Sequence, residues 1–267
     1  MLAVERARNR WDGDVPAAYD RSFAHMCAGV SQAVLAHANP GTLIDAGCGT
    51  GLFAARAHAG GWRVRAFDSD STMVARARAR GIAATCDRLP HLGEVANWRG
   101  ATVVANFVIQ HLSAPVAALT SLAQLIEPAA TGDPGRLIVT SWPPIWLAHR
   151  AVWMEVFADL AAAPVPHDAP ACDTSPDGLA AALSAVGLRV VTAELVRWDW
   201  QIHWQAYLTG VQAGIAYIGK RFRAQDRALR REIVAQVCHR MRRFGAPEVM
   251  TLPCIATLVV GEGAARA

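Results

Sequence analysis

The chain lacks a long apolar segment. None of its uncharged apolar runs reaches about 18 residues, the length at which a membrane-spanning helix is expected. Its first residues, MLAVERARNRW, carry charge without an apolar stretch behind them, which argues against a secretory signal. We therefore expect a cytoplasmic protein without a membrane partner.

Closely spaced cysteines are also missing. Six cysteines are spread along the chain without a C-x-x-C pair: Cys27, Cys48, Cys86, Cys172, Cys238 and Cys254. Zinc sites and disulfide frameworks depend on patterned cysteine spacing. The sequence therefore predicts free thiols and no metal site.

Lysine is nearly absent, and arginine carries the positive charge. Lys220 is the only lysine, and the formal net charge is +4. Residues 220–243 hold nine basic residues against Asp226 and Glu232, so any basic surface is local. This pattern is typical of a solvated helix face, and it leaves nucleic-acid binding open as a less favoured interpretation.

A hydrophobic content of 53% over 267 residues is sufficient for a full core. Apolar runs alternate with helical stretches, which predicts strands at 43–45, 62–67, 82–86, 101–107 and 136–142. This alternation indicates an α/β fold, a Rossmann-like doubly wound sheet that is mostly parallel. A last strand at 254–260 is predicted to enter the sheet antiparallel.

Helical periodicity is present at both ends of the chain. Apolar residues from Val15 to Val34 recur at spacings of three and four, which predicts an amphipathic helix that ends before Pro40. Ser113 is predicted to cap a helix that runs to Ile126. Two further helices are predicted at 203–218 and 222–244. We expect a single domain over 1–267.

Within that domain, we expect a cofactor-binding core and a helical lid. The core is predicted at about 38–142, 175–202 and 253–263. The lid is predicted at about 11–37, 143–170 and 203–250.

The stretch LIDAGCGTG, residues 43–51, places three glycines directly after an apolar run. Such a turn admits either a dinucleotide or another nucleotide-like cofactor. The dinucleotide fingerprint requires a third small residue where this chain has Leu52, so the nicotinamide interpretation loses its most specific element. Asp68, at the end of the second strand, suits a ribose diol in either case.

Three further segments belong with this turn: VRAFDSDSTMVARARARG (64–81), ATCDRLP (84–90) and ANFVIQHL (105–112). Together the four segments resemble class I S-adenosylmethionine-dependent methyltransferases. LIDAGCGTG is similar to the first motif of that family, and VRAFDSDSTMVARARARG (64–81) resembles its acidic strand end and the helix that follows. ATCDRLP (84–90) and ANFVIQHL (105–112) resemble the segments that border the adenine and the methionine portion of the cofactor. The resemblance implies methyl transfer with S-adenosylmethionine as cofactor and S-adenosylhomocysteine as product.

The same resemblance implies roles for individual residues. Asp45, Gly47, Gly49 and Asn106 would lie at the amino-acid portion of the cofactor, and Asp68 would accept hydrogen bonds from the ribose. The adenine would lie among the residues that follow: Ser69, Met73, Cys86, Asp87 and Arg88.

Catalysis is less well specified by the sequence. His111 follows the fourth strand and could accept a proton near neutral pH, or it could simply hydrogen-bond to the structure beside the cofactor. Since the methyl group of a sulfonium is already activated, alignment and exclusion of water can suffice. A base is therefore optional.

Aromatic residues suggest the substrate. They concentrate after the fifth strand and around a further strand predicted at about 188–200, where they could form core or an apolar box for a flat ligand. Candidate pocket residues are Tyr19, Phe23, Trp142, Trp146, His203 and Tyr207. We expect a small, aromatic or heteroaromatic metabolite of secondary metabolism; the alternatives are an RNA methyltransferase that uses the arginine-rich helix, and a non-catalytic S-adenosylmethionine-binding protein.

Overall fold

The computed structural model describes residues 15–145, 147–166, 170–246 and 248–263, and it contains the predicted mixed sheet. In this part of the chain the strands are β1 (Thr42–Ala46), β2 (Arg63–Asp68), β3 (Ala83–Cys86), β4 (Thr102–Asn106), β5 (Arg136–Ser141), β6 (Arg189–Ile202), β7 (Gly245–Ala246) and β8 (Val249–Glu262).

The sheet has the order β3-β2-β1-β4-β5-β8-β6, and β7 pairs with β8. The five strands β3, β2, β1, β4 and β5 run parallel to one another. β8 runs antiparallel to β5, with Arg136 opposite Glu262 and Ser141 opposite Thr257. The predicted fold class is therefore confirmed, including the antiparallel last strand.

The central strands are buried on both faces. All five residues of β1 are buried, and so are the first four of β4. Helices cover both sides of a parallel sheet, so its strands read as apolar runs without alternation. For this reason the short runs LIDA and TVVA could be identified as strands from the sequence.

Short helices connect these strands. The α-helices in the described ranges are α1 (Val15–Arg21), α2 (Phe23–Ala28), α3 (Ser31–Ala36), α4 (Leu52–Ala59), α5 (Ser71–Ala79), α6 (Pro115–Ala123), α7 (Ala148–Asp159), α8 (Pro176–Ala185), α9 (Trp204–Gln212), α10 (Ala216–Arg223) and α11 (Arg227–Met241). Ser175 caps α8, as its position before Pro176 suggests, because its hydroxyl accepts from Gly178 N at 3.1 Å.

The prediction of one continuous helix from Val15 to Val34 is wrong. The segment consists of three short helices, with breaks at Ser22 and at Gly29. Ser22 Oγ donates to Ala18 O at 2.5 Å, and Gly29 N donates to Met26 O at 3.0 Å. These local bonds replace the regular backbone hydrogen bonds of a helix at the two breaks. The apolar spacing that suggested one helix nevertheless continues across them.

The predicted helices at 203–218 and 222–244 also have incorrect boundaries. α9 ends before Gly214, whose φ of +84° and N–H···O bond to Val211 form a glycine helix end. Asp226 begins α11 by accepting from Leu229 N at 2.8 Å. Gly214 and Asp226 both indicate these boundaries in the sequence, but the apolar periodicity that continues past them suggested longer helices.

Ser113 does not cap the helix after β4, so this prediction is wrong. α6 begins at Pro115 with Ala114 in the capping position, and it ends at Ala123 rather than at Ile126. Proline is well suited to the first helical position, since it has no N–H to leave unpaired there.

The chain divides into two compact units. Unit 1 comprises Met1–Gly29, Ile145–Ala169 and Arg197–Cys254; unit 2 comprises Val30–Pro144, Pro170–Val196 and Ile255–Ala267. Unit 2 contains β1 to β5 and an apolar core around Ile44, Val103 and Leu137. Unit 1 contains helices α1, α2, α7, α9, α10 and α11.

No helix within the described ranges combines the length and the apolar character that crossing a membrane requires.

Ion pairs to the buried Glu262 in unit 2 hold the end of β8. Glu262 is 5% exposed and accepts from Arg136 Nε at 3.2 Å and Nη2 at 3.0 Å, and it also pairs with Arg189.

We expect Glu262→Gln to lower the free energy of unfolding by about 1–3 kcal/mol, because it removes a buried charge partner. Urea denaturation measures this change. The exposed control Glu94→Gln should change it by less than about 0.5 kcal/mol, and equal effects of the two variants would contradict the prediction.

Candidate functional site

The loops that follow β1, β2 and β4 form the candidate site within unit 2. Gly47, Gly49 and Gly51 all have positive φ, of +70°, +55° and +80°. The amides of Gly47 and Cys48 both donate to Phe67 O, at 2.8 and 2.9 Å. The turn after β1 is therefore fixed to the end of β2, as expected at the carboxyl ends of neighbouring parallel strands.

Glycine is required at position 47 because a side chain would clash with a neighbouring residue, and also because the backbone has a positive φ. A Cβ at this position would lie 2.5 Å from Cγ2 of Val108, which follows β4. At Gly51 a Cβ would lie 2.8 Å from Ala77 Cβ on α5. These contacts show that the protein's own packing requires glycine at positions 47 and 51.

Asp68 ends β2 and anchors this turn. Its Oδ2 accepts from Gly49 N at 2.8 Å, and its Oδ1 accepts from Asp70 N at 3.0 Å. Burial raises the pKa of Asp68, the nearby charge of Asp70 adds to the rise, and these backbone bonds partly offset it. Since a carboxylate oxygen has two lone pairs, both oxygens keep capacity for a further donor.

Asp45 is the most unusual group of the site. It lies in the buried strand β1, is 2% exposed, and its Oδ2 has no hydrogen-bond partner among the described residues. Burial raises the pKa of Asp45 to about 8, and the charge of Asp68 contributes. A buried carboxyl with an unpaired oxygen is complementary to a donor or a cation.

Asp87 binds mainly to its own loop. Its two oxygens accept from the amides of Arg88, Gly93 and Val95 at 2.8–3.1 Å, and its own N–H donates to Asp68 O at 3.0 Å. The loop after β3 is thus closed around this carboxylate and attached to the end of β2.

The other predicted adenine neighbours differ in accessibility. Ser69, Cys86 and Arg88 are exposed where β2 and β3 end, and Cys86 Sγ lies 3.8 Å from Ser69 O. Met73 lies in α5 and is only 2% exposed.

The end of β4 is held by β5. Thr140 Oγ1 donates to Asn106 Oδ1 at 2.6 Å and accepts from Phe107 N at 3.1 Å. Phe107 has a φ of +56°, which is strained for an aromatic residue. Its carbonyl accepts from Gln110 Nε2 at 2.8 Å, and Ser141 Oγ donates to Gln110 Oε1 at 3.0 Å.

An aromatic stack lies at the same edge of the sheet. The rings of Phe107 and Trp142 are 4.0 Å apart and 23° from parallel. His111 is exposed one turn later, and its Nε2 lies 3.4 Å from Gln110 Nε2. The sequence reasoning missed Phe107, Gln110 and Ser141, although Phe107 and Gln110 lie within the motif ANFVIQHL.

The predicted substrate-pocket residues that the structure describes are divided between the two units. Trp142 lies in unit 2, and Trp146 lies outside the described residues. In unit 1, Phe23 and Tyr207 are buried with ring centroids 5.7 Å apart, Tyr19 is half-buried, and His203 is exposed before α9.

The described residues contain no group of three or more histidine, cysteine or acidic side chains that could hold a metal ion.

Comparison with known proteins gives a family and a fold. The sequence model of a methyltransferase domain matches residues 19–193, which is more than half of the chain. No curated protein sequence matches significantly.

Several solved structures share the fold. Magnesium protoporphyrin IX methyltransferase from Synechocystis PCC 6803 with bound S-adenosylhomocysteine is 15% identical, with a TM-score of 0.50, covering 90% of this chain and 82% of that one. The [4+2]-cyclase SpnF is 18% identical with the same TM-score and coverages. A structure concerned with conversion of a disulfide bond into a thioacetal group during echinomycin biosynthesis is 18% identical, with a TM-score of 0.51, covering 91% of this chain and 83% of that one. At such identities the likeness shows the fold.

The contact at Gly47 predicts a specific cost of substitution. We expect Gly47→Ala to lower the free energy of unfolding by about 2–3 kcal/mol, because strain at positive φ and the clash with Val108 add. Gly61→Ala is the matched control, since Gly61 has a φ of +98° but nothing within 4 Å of the position that a Cβ would take. It should cost about 1 kcal/mol. Addition of Val108→Ala should recover part of the Gly47→Ala loss, and no recovery in urea denaturation would contradict the clash.

Asp45 predicts a pH dependence of stability. Its pKa rises from 3.8 to about 8 on folding, so the folded protein holds a proton that the unfolded chain releases between these values. The contribution of Asp45 to stability therefore falls as the pH rises from about 4 to about 8. We expect Asp45→Asn to remove this fall and to be more stable relative to wild type at pH 8 than at pH 4. Denaturation at several pH values measures it.

The exposed control Asp177→Asn should retain the wild-type pH profile. An unchanged pH profile in Asp45→Asn would show that Asp45 ionises normally in the folded protein.

Proposed function

This chain belongs to the methyltransferase domain family, and from that premise we propose that its acceptor is a small, aromatic or heteroaromatic molecule. It is an S-adenosylmethionine-dependent methyltransferase with a Rossmann-like fold. When bound, S-adenosylmethionine supplies a methyl group that is already activated by the positive sulfur. What the protein contributes is binding, orientation and exclusion of water.

Two features of the site fit this cofactor. The unpaired Asp45 Oδ2 is suited to a group that donates hydrogen bonds or carries positive charge, such as the ammonium of the cofactor or a water bound to it. The turn at Gly47 and Gly49 carries no side chains at these two positions, so its main chain can approach the amino-acid portion of the cofactor. We propose that Gly49 and Asn106 border the same portion.

The nucleoside portion is assigned to the ends of β2 and β3. We propose that Asp68 accepts from the ribose hydroxyls with the lone pairs that its backbone bonds leave available. Asp87 and the amide of Cys86 or Arg88 would contact the adenine amine and a ring nitrogen. Ser69 and Met73 would border the ring, Met73 from within α5.

The stacked pair of Phe107 and Trp142 is the observation that carries the acceptor class. It lies at the carboxyl edge of β4 and β5, directly before Val108, the residue that approaches Gly47. Flat faces of this kind favour planar ligands by offset stacking. The strain at Phe107 supports a functional reason for the pair, because left-handed backbone at a bulky residue is costly without one.

Proton removal requires little machinery here. We propose that His111, exposed near Gln110, accepts a proton where the acceptor must lose one.

The alternative of an RNA substrate has less support, because part of the basic surface is neutralised within unit 1. Arg240 pairs with Glu155 and Asp159, and Arg243 pairs with Glu155. A single methyltransferase domain over 1–267, with its cofactor core in unit 2, remains our proposal.

The cofactor assignment is tested by calorimetry with S-adenosylmethionine, S-adenosylhomocysteine and NAD. We expect the two sulfur compounds to bind and NAD not to bind. Asp68→Asn should weaken binding at least tenfold, equal to about 1.4 kcal/mol, because it removes the charge that accepts from the ribose. Asp70→Asn is the matched control, since it removes a charge two residues away and asparagine also caps helices. Binding of NAD alone would contradict the assignment.

The acceptor class is tested with methyl-labelled S-adenosylmethionine. We expect label transfer to members of a panel of phenols and indoles, and none to bulk RNA or protein. Trp142→Leu should raise the KM for the aromatic acceptor about tenfold or more by loss of stacking, while Trp142→Phe retains a ring and most of the activity. Preferred labelling of RNA, abolished when Arg227, Arg230 and Arg231 are neutralised, would favour the RNA alternative instead.

A further inference from the structure

Gln110 lies at the centre of a hydrogen-bonded group in unit 2, and the proposed function assigns no role to it. It belongs to the short 3₁₀ turn Ile109–His111 that follows β4, and its side chain is half-buried. Its Nε2 donates to Phe107 O at 2.8 Å and lies 3.4 Å from His111 Nε2, while its Oε1 accepts from Ser141 Oγ at 3.0 Å. One amide group thus contacts three residues at the carboxyl edge of β4 and β5.

The contacts of Gln110 determine which way its amide points. Phe107 O can only accept, so the amide must present its NH₂ group there, and Ser141 Oγ then donates to the amide oxygen. The reverse orientation would place Oε1 against the carbonyl oxygen of Phe107, which sets two acceptors together without a hydrogen between them. Since one hydrogen of Nε2 goes to Phe107 O, the second hydrogen is the one that reaches His111.

The orientation of the amide defines the state of His111 Nε2. An amide nitrogen donates and does not accept, so His111 Nε2 can bond to it only as an acceptor. The neutral imidazole then has its hydrogen on Nδ1 and a lone pair on Nε2. A protonated Nε2 would face an N–H group instead of an acceptor. Gln110 therefore favours the form of His111 that can take up a proton, and it defines the atom that does so.

We propose that Gln110 is a positioning residue that holds His111 as a neutral base with Nε2 as its basic nitrogen. The bond of 3.4 Å is long and therefore weak, so the hydroxyl group of an acceptor can replace the amide hydrogen at the exposed ring. Gln110 meanwhile keeps its bonds to Phe107 and Ser141. This inference rests on the proposed function, because that function supplies His111 as the proton acceptor.

The proton and the electron pairs are accounted for as follows when the acceptor carries a hydroxyl group. The O–H bond of the acceptor breaks, and its proton moves to His111 Nε2. The acceptor oxygen forms a bond to the methyl carbon, and the carbon–sulfur bond breaks with its electron pair left on sulfur. The imidazolium then releases the proton to water. Because a protonated Nε2 cannot accept from Gln110, the Gln110–His111 bond forms again only after this release.

The same amide relates the base to the stacked rings. Phe107 stacks on Trp142, and its carbonyl oxygen is bonded to Gln110. The rings supply the flat face for the acceptor, whereas His111 acts on its proton. Loss of the amide should therefore reduce turnover more than it weakens binding of the acceptor.

The position of the hydrogen is tested by nitrogen-15 NMR on the full chain with labelled histidine and with S-adenosylhomocysteine bound. At neutral pH we expect wild-type His111 to carry its hydrogen on Nδ1 and none on Nε2. Gln110→Glu has the same shape but presents an acceptor, so it should move the hydrogen to Nε2. The spectrum of His111→Ala assigns the signals, and exposed His91 is the internal control that should not change.

The kinetic consequence is tested by a double-mutant cycle with methyl-labelled S-adenosylmethionine and a phenol that the wild type methylates. We expect Gln110→Met to lower kcat about tenfold or more, with a KM that stays within about threefold. In a His111→Ala background the same substitution should change kcat little further, because Gln110 acts through His111. Gln124→Met is the matched control, since Gln124 is exposed at the end of α6 and should leave kcat unchanged.

Three results would overturn the inference: a hydrogen on Nε2 in the wild type, an unchanged hydrogen position in Gln110→Glu, or equal losses of kcat from Gln110→Met in the two backgrounds. S-Adenosylhomocysteine binding serves as the folding control in every variant. If the phenol is labelled but His111→Ala keeps the wild-type kcat, the inference fails and methyl transfer to an aromatic acceptor stands. If no aromatic acceptor is labelled, the proposed function fails, whereas a moved hydrogen in Gln110→Glu still supports the placement of His111 by Gln110.

Discussion

The close approach between the turn after β1 and the turn after β4 is the constraint on which the candidate site depends. Gly47 has no room for a side chain because Val108 occupies that space, and the same turn is fixed to β2 through Phe67 O. Three strand ends are thereby held together at one point. Asp45, Asp68 and the Phe107 stack keep their places around this point because the backbone beneath them has little freedom to move.

The carboxylates of the site differ because their surroundings differ. Asp68 and Asp87 accept hydrogen bonds from backbone amides, whereas one oxygen of Asp45 lies unpaired in the interior. Burial without compensation favours the protonated form, and a positive group placed beside that oxygen would reverse the preference. The same residue type thus provides a loop anchor in one place and a ligand-responsive group in another.

The sequence predicted what local patterns encode. Apolar runs such as TVVA indicated the strands, and the glycine spacing indicated the turn at Gly47. The sequence did not reveal the helix end at Ser22, because that end depends on one hydrogen bond and the apolar periodicity continues across it. The positive φ of Phe107 was not predictable, because nothing about phenylalanine indicates it and bonds from β4 to β5 impose it.

The position of β8 in the sheet has a consequence for how the protein is made. β8 pairs with β5 through residues 257–262, and in the strand order it lies between β5 and β6. While the ribosome is still synthesising the preceding helices, one edge of β5 has no partner strand. β5 therefore keeps an unpaired, apolar edge until residue 262 has left the exit tunnel, and during this interval that edge is open to pairing with another strand.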